Sequence, residues 1–217
     1  MNNKDFRTKH QGNLLKNNTT TTTEDYDKFT KKEWYASSGQ DTYFRDVLFK
    51  GNNNGFYVDI GAHNGLYKSN TFLLERDLQW KGICIEARQI AFEECCQFRE
   101  NAQCFNYIVG EFDGENVCWK KWDGGGGIVE GKGNRTAKSL CSILKEADAP
   151  QKIDLLSMDI EGAEERVLMK FPFFDEYEIT ALCLERPSIL LVNHLISIGY
   201  KRKMVDKVFM EDADLLY

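Results

Sequence analysis

Histidine is scarce in this chain, with three in 217 residues, at positions 10, 63 and 194. No H-x-x-H pair or cluster of imidazoles exists to hold a catalytic transition metal. The seven cysteines are odd in number and contain no C-x-x-C pair, and Cys84 and Cys183 fall inside apolar runs. They read as reduced and mostly buried thiols, not as a disulfide framework or a zinc knuckle. No apolar stretch approaches the roughly 18 residues of a membrane span. The amino terminus, MNNKDFRTKH, has no signal-peptide core. A soluble, cytoplasmic protein is therefore expected, with the sequons at Asn18 and Asn134 unused. An excess of basic residues is also missing. The net charge is -6, and the acidity falls on the residues after 32, which disfavours a nucleic-acid partner.

What is present is enough for one domain with a sizeable core, at 217 residues and 42% hydrophobic. Residues 1–32, rich in Asn, Lys and Thr with a five-Thr run ending at Thr23, read as a tail or loosely held arm. Residues 33–217 read as the folded domain. Its centre is the stretch from Phe56 to Glu86. Phe56 to Ile60 is a short apolar strand ended by Gly61; Leu66 to Leu78 carries apolar residues at helical spacing; Ile83 to Ile85 is a second strand stopped by the carboxylate of Glu86. This is one βαβ unit. Gly61 and Gly65 permit a tight turn and close approach of a ligand, and Glu86 is placed to accept hydrogen bonds from both hydroxyls of a ribose. The turn reads G-A-H-N-G, so the dinucleotide fingerprint G-x-G-x-x-G is absent. A ribose-bearing ligand such as S-adenosylmethionine is favoured over NAD.

Around this unit, a helix is expected from Gln40 to Phe49, a second from Gln89 to Glu100, and a third strand from Cys104 to Val109. Asp113-Gly114 suggests a hairpin turn, and Gly124 to Gly127 a flexible loop over the cofactor mouth. Thr136 to Ala147 has helical spacing; Ile153 to Ile160 and Ile179 to Glu185 read as strands; a helix begins at Pro187. The chain ends on two strands, Tyr200 to Val205 and Val208 to Tyr217, with a turn near Asp206. The fold class expected is α/β: a Rossmann-like, seven-stranded, mostly parallel sheet with an antiparallel last strand and helices on both faces.

The blocks GQD at Gly39 to Asp41, FYVDIGAHNG at Phe56 to Gly65, SNT at Ser69 to Thr71, WKG and IE between Trp80 and Glu86, and IDLLSMDIEGAE at Ile153 to Glu164 together resemble FkbM-type methyltransferases. The resemblance runs from about Gly39 to the carboxyl terminus. It implies a class I methyltransferase fold and S-adenosylmethionine-dependent methyl transfer to a hydroxyl, often of a sugar or other small molecule. The cofactor residues it implies are Asp59, Gly61, His63, Asn64, Gly65, Ser69 and Asn70, with Glu86 and Ala87 at the ribose and adenine near Val109 to Glu111.

An acceptor hydroxyl has to lose its proton as the methyl group moves, so a base is needed within reach. Asp159 and Glu161, at the carboxyl end of a strand that faces the ligand crevice, are the candidates, Asp159 foremost. Glu185 ends the next strand and is placed for the acceptor, for a divalent metal shared with Asp159, or for Arg186. Glu164 fits the start of a helix. His63 could serve as base or merely shape the turn, and Trp119 and Trp122 could stack on a sugar or anchor a loop. No metal ligand set is assigned, and a divalent metal stays an open option. The leading expectation is an O-methyltransferase acting on a sugar, glycan or small polyol. The alternatives are a non-catalytic scaffold that keeps the fold, or an RNA cap methyltransferase. The oligomeric state is left open.

Overall fold

The computed structural model describes residues 33–123, 125–203 and 213–216. The tail at 1–32, with His10 and Asn18, lies outside them, as do Gly124 and the turn near Asp206. The main sheet is built from β1 (Phe56–Ile60), β2 (Lys81–Ile85), β3 (Ala102–Phe105), β8 (Lys152–Met158), β9 (Glu178–Glu185), β10 (Arg202–Lys203) and β11 (Ala213–Leu216), in the order β10-β11-β9-β8-β1-β2-β3. The block from β9 to β3 is parallel; β11 pairs antiparallel with both β9 and β10. A second, four-stranded sheet, which the sequence reading did not foresee, is formed by β4 (Ile108–Gly110), β5 (Asn116–Trp122), β6 (Gly125–Val129) and β7 (Arg135–Ser139).

Strand alternation sends successive side chains to opposite faces, and the two cores follow from it. Val58 and Ile60 of β1, with Ile83 and Ile85 of β2, face a core closed by α4 (Leu140–Glu146), α5 (Glu164–Leu168) and α6 (Ile189–Ser197). Tyr57 and Cys84 face the other, closed by α1 (Gln40–Tyr43), α2 (Phe72–Leu78) and α3 (Gln89–Phe98). Five consecutive parallel strands buried on both faces place their carboxyl ends along one edge, and the candidate site lies there.

Several elements are shorter than the sequence suggests. The helix expected over 66–78 starts only at Phe72, because Gly65 and Lys68 take positive φ and the Asn64 side chain captures the amides of Leu66 and Tyr67. The helix expected from Gln40 to Phe49 passes at Phe44 into a π-turn that ends at Leu48. Thr136 to Ser139 is strand, and Ser139 caps α4 by accepting from the Ser142 amide. The strand expected at 104–109 is two, since Asn106 turns to donate to the Glu86 carbonyl and sends Ile108–Gly110 to the second sheet. The Asp113-Gly114 turn does not close a hairpin: β4 and β5 each pair with β7 instead. Of the glycines expected to form a loop, Gly125 to Gly127 are strand: they lie in β6, antiparallel to β5.

The start of α6 follows its sequence. Pro187 precedes Ser188, whose Oγ accepts from the Leu191 amide at 3.1 Å. Ser188→Ala is expected to lower stability by about 1 kcal/mol, the usual cost of losing an N-cap. A denaturation midpoint identical to wild type would show that the cap contributes nothing.

Candidate active site

The loops at the carboxyl ends of β1, β2, β8 and β9 surround a cavity of about 320 Å³. The first wall is the turn after β1. Gly61 has φ +83, and a Cβ there would stand 1.8 Å from the Asp159 carbonyl oxygen. Only glycine fits. The turn is tied on both sides: the Gly61 and Ala62 amides donate to the Ile85 carbonyl at 2.9 and 3.1 Å, and the Asp159 amide donates to Ile60 at 2.9 Å. β1 is thus locked between the two loops that carry Glu86 and Asp159.

Glu86 ends β2 with its carboxylate buried. One oxygen accepts from the His63 amide at 2.9 Å; the other accepts from the Arg88 amide and Nε at 2.8 and 3.1 Å. The oxygen bonded to His63 has one acceptor site left, so the group keeps capacity toward a ligand hydroxyl. His63 is held by burial below its ordinary value, with Arg88 adding to the effect, and its Nδ1 accepts from the Asn64 amide at 2.7 Å. A neutral ring engaged this way, at φ +50, shapes the turn.

Asp59 is buried, and burial is the main cause that pushes its carboxyl up to about 7. The Thr71 hydroxyl donates to it at 2.6 Å and opposes that shift, as does the positive charge of Arg99. Asn70 lines the cavity and donates to Ser157 Oγ at 3.1 Å.

Of the expected cofactor residues, Asp59, Gly61, His63, Ser69, Asn70, Glu86 and Ala87 line the cavity. Asn64 and Gly65 do not: the first caps the turn, and the second packs on Cys95 and Arg99. Tyr107, Ile108 and Val109 form a further wall. Polar lining residues that escaped the sequence reading include Ser37, Tyr67, Lys68, Arg88 and Asp123. The GQD block explains the first. Asp41, fully buried, accepts from the Tyr35 and Ala36 amides at 2.5 and 3.2 Å and so fixes the segment that leads to Ser37.

The opposite wall is acidic. Oxygens of Asp159, Glu161 and Glu185 lie within 4.8 Å of one another. Asp159 is open to the cavity, yet its carboxyl is pushed up to about 9, first by loss of solvation among the neighbouring groups, then by the hydrogen bond and negative charge of Glu185, with Glu161 and Glu164 adding. The neighbouring negative charges disfavour a further ionisation, so the Asp159 carboxyl is driven toward its protonated form. Glu161 sits at φ +58, ahead of Gly162 at φ +98, a backbone state that is uncommon outside glycine and tends to gather at functional sites. Glu164 accepts from the Ile160 amide at 3.0 Å and supports this turn from behind.

The β5–β6 hairpin covers that wall with Trp119, Trp122 and the glycines of β6. A Cβ at Gly125 would meet Trp122 Nε1 at 2.6 Å, and one at Gly127 would meet Glu161 Cβ at 3.2 Å. Glycine lets the strand pass over both side chains. Arg135 lies over the Trp119 ring, 5.3 Å from its centroid, and Lys138 pairs with Glu146; neither is among the cavity residues. A trio of buried thiols, Cys84, Cys95 and Cys104, stands on the α1–α3 side of the sheet, away from the cavity. Burial and mutual contact push Cys84 and Cys95 upward, so they stay protonated and act as apolar packing.

The arrangement carries a polar turn and a buried carboxylate at one end, and an acidic cluster under an aromatic hairpin at the other. Among the described residues, no helix is long and apolar enough to cross a membrane. A family model described as the methyltransferase FkbM domain matches residues 59–192. Among solved structures, the chain is similar to the methyltransferase FkbM of Methylobacillus flagellatus KT, at 17% identity and a TM-score of 0.51, over 98% of this chain and 55% of that one. It thus spans little more than half the length of that protein. A TehB-like SAM-dependent methyltransferase from Corynebacterium glutamicum matches at 10% identity and a TM-score of 0.47, over 95% and 97% of the two chains. No curated protein matches. The family model spans more than half of the sequence and covers both the turn after β1 and the Asp159 loop, and the chain belongs to the FkbM methyltransferase-domain family.

Proposed function

We propose that this protein transfers a methyl group from S-adenosylmethionine to a hydroxyl of a neutral polyol, a sugar or glycan foremost. The observation that carries the reading is that one cavity holds both the Asp59–Glu86 end and the Asp159–Glu185 end. Glu86 would hold the ribose of the cofactor and the turn after β1 its methionine part, and the bound cofactor would supply an electrophilic methyl group. Tyr107 to Val109 offer an apolar surface for adenine, and Asp59 and Asn70 offer polar groups for the methionine part. Displacement at the methyl carbon is in-line, so an acceptor held about 3–3.5 Å away gains most from orientation. Asp159 in its ionised form accepts the proton of the attacking hydroxyl. The lining carries Asp59, Glu86, Asp123, Asp159, Glu161 and Glu185 against Lys68, Arg88 and Arg186. That balance repels a phosphate backbone and disfavours the RNA alternative. We assign the acidic trio to proton transfer, so chelation with EDTA is expected to leave turnover unchanged. Loss of turnover restored by a divalent ion would transfer that role to a metal.

The test is calorimetric titration with S-adenosylmethionine and, separately, NAD. Binding of the first alone is expected. Glu86→Ala should weaken it about 10- to 100-fold, the equivalent of charge-assisted hydrogen bonds worth about 1.5–3 kcal/mol. If wild type binds neither, the scaffold reading takes over.

A further inference from the structure

Arg99 follows α3 and is fully buried, yet it is not among the cavity residues. A guanidinium kept from water needs strong compensation, because an unpaired buried charge is costly. Here part of the compensation comes from the segment between Gly65 and Thr71, which stands behind the cofactor wall. Nε donates to the Gly65 carbonyl at 2.8 Å; one terminal nitrogen, Nη2, donates to Ser69 Oγ at 2.5 Å and Thr71 Oγ1 at 2.8 Å. Thr71 passes the connection on to Asp59 at 2.6 Å, and Nη2 itself stands 3.5 Å from the Asp59 carboxylate. The other terminal nitrogen, Nη1, reaches the Tyr57 hydroxyl at 3.1 Å and Glu75 at 3.3 Å. Tyr57 and Phe72 place their rings 5.5 and 5.3 Å from the guanidinium carbon.

The segment so held needs a brace. From Gly65 to Thr71 the chain is neither helix nor strand, and it carries two positive-φ residues, Gly65 and Lys68. It also presents Tyr67, Lys68, Ser69 and Asn70 to the cavity. We propose that Arg99 is the positioning residue of this segment: its planar fork fixes Gly65, Ser69 and Thr71 relative to Asp59, and so sets cofactor affinity without touching the cofactor. The inference rests on the S-adenosylmethionine reading above. Arginine is required for its shape as well as its charge, because five donors in a rigid fork reach partners on several sides and an ammonium on a flexible stem does not.

The experiment titrates the full chain with S-adenosylmethionine, with thermal melting of each variant in parallel. Arg99→Lys keeps the charge and loses the fork; it is expected to recover much of the stability lost in Arg99→Met while still binding at least tenfold more weakly than wild type. Thr71→Val, at a buried position off the cavity, should weaken binding in the same direction and decides the matter if neither Arg99 variant folds. Ser188→Ala, destabilised on the other side of the sheet, should bind as wild type does. Wild-type affinity in a folded Arg99→Lys or in Thr71→Val overturns the proposal, as does an equal loss in Ser188→Ala. If wild type itself fails to bind S-adenosylmethionine, the functional reading falls and takes this one with it; intact wild-type binding with unmoved variants sinks only the role of Arg99.

Discussion

Gly61→Ala is expected to bring the domain close to unfolding and to abolish cofactor binding. The added methyl would stand 1.8 Å from the Asp159 carbonyl oxygen, and the residue sits at φ +83. Neither partner can retreat cheaply. The Asp159 amide is bonded to Ile60, β1 and β8 are in register at Ile60 and Met158, and the Gly61 amide is bonded to Ile85. Left-handed backbone costs a non-glycine residue roughly 1–2 kcal/mol and overpacking roughly 1–3, so a loss of about 2–5 kcal/mol is expected. That is a large share of the roughly 5–15 kcal/mol that holds an ordinary domain together. Gly162 provides the control. Its φ is +98, but a Cβ there meets nothing within 4 Å, so Gly162→Ala should show the backbone cost alone, about 1–2 kcal/mol. Chemical denaturation of both variants separates steric from conformational effects. Equal midpoints for the two would mean that the approach of Asp159 to the turn is not tight in solution.

The same pair of loops shows what sequence can and cannot convey. Gly61 and Asp159 were legible because each closes an apolar strand, and a residue just past a buried strand has few places to go other than the ligand edge. Glu86 was legible for the same reason. Arg99 was not: it stands after an amphipathic helix, where a solvated arginine is the ordinary expectation, and its hydrogen-bond partners lie 24 to 42 residues away at Tyr57, Gly65, Ser69, Thr71 and Glu75. Nothing local marks a side chain that turns inward to satisfy distant groups. The second sheet was hidden differently. Gly125 to Gly127 read as a flexible loop because glycine weakens strands in isolation, but here the missing side chains are what allow β6 to pass over Trp122 and Glu161. Steric need, set by residues elsewhere in the chain, overrode local preference. Asn64 belongs to the same class, since its side chain bonds the local backbone and so does not reach the cavity.

Asp159→Asn should leave cofactor affinity essentially unchanged and lower kcat by about 10²- to 10⁴-fold, the contribution of a positioned general base. The substitution keeps size and removes the ability to take a proton. The pH dependence makes the assignment sharper. Asp159 is pushed up to about 9 by loss of solvation among its neighbours and by Glu185, so the base form grows as pH rises, and kcat/KM measured with an accepted polyol should climb through the range from 7 toward 9. The limb belongs to the pair and not to one residue. Glu185→Gln removes the neighbouring negative charge and leaves an amide that can donate to the Asp159 carboxylate. Both changes favour the ionised form, so the rising limb should move to lower pH, while in Asp159→Asn the residual activity should lose it. A limb that stays in place in Glu185→Gln and survives in Asp159→Asn would assign the titration to another group, with Glu161, on the same acidic wall, the next to be replaced.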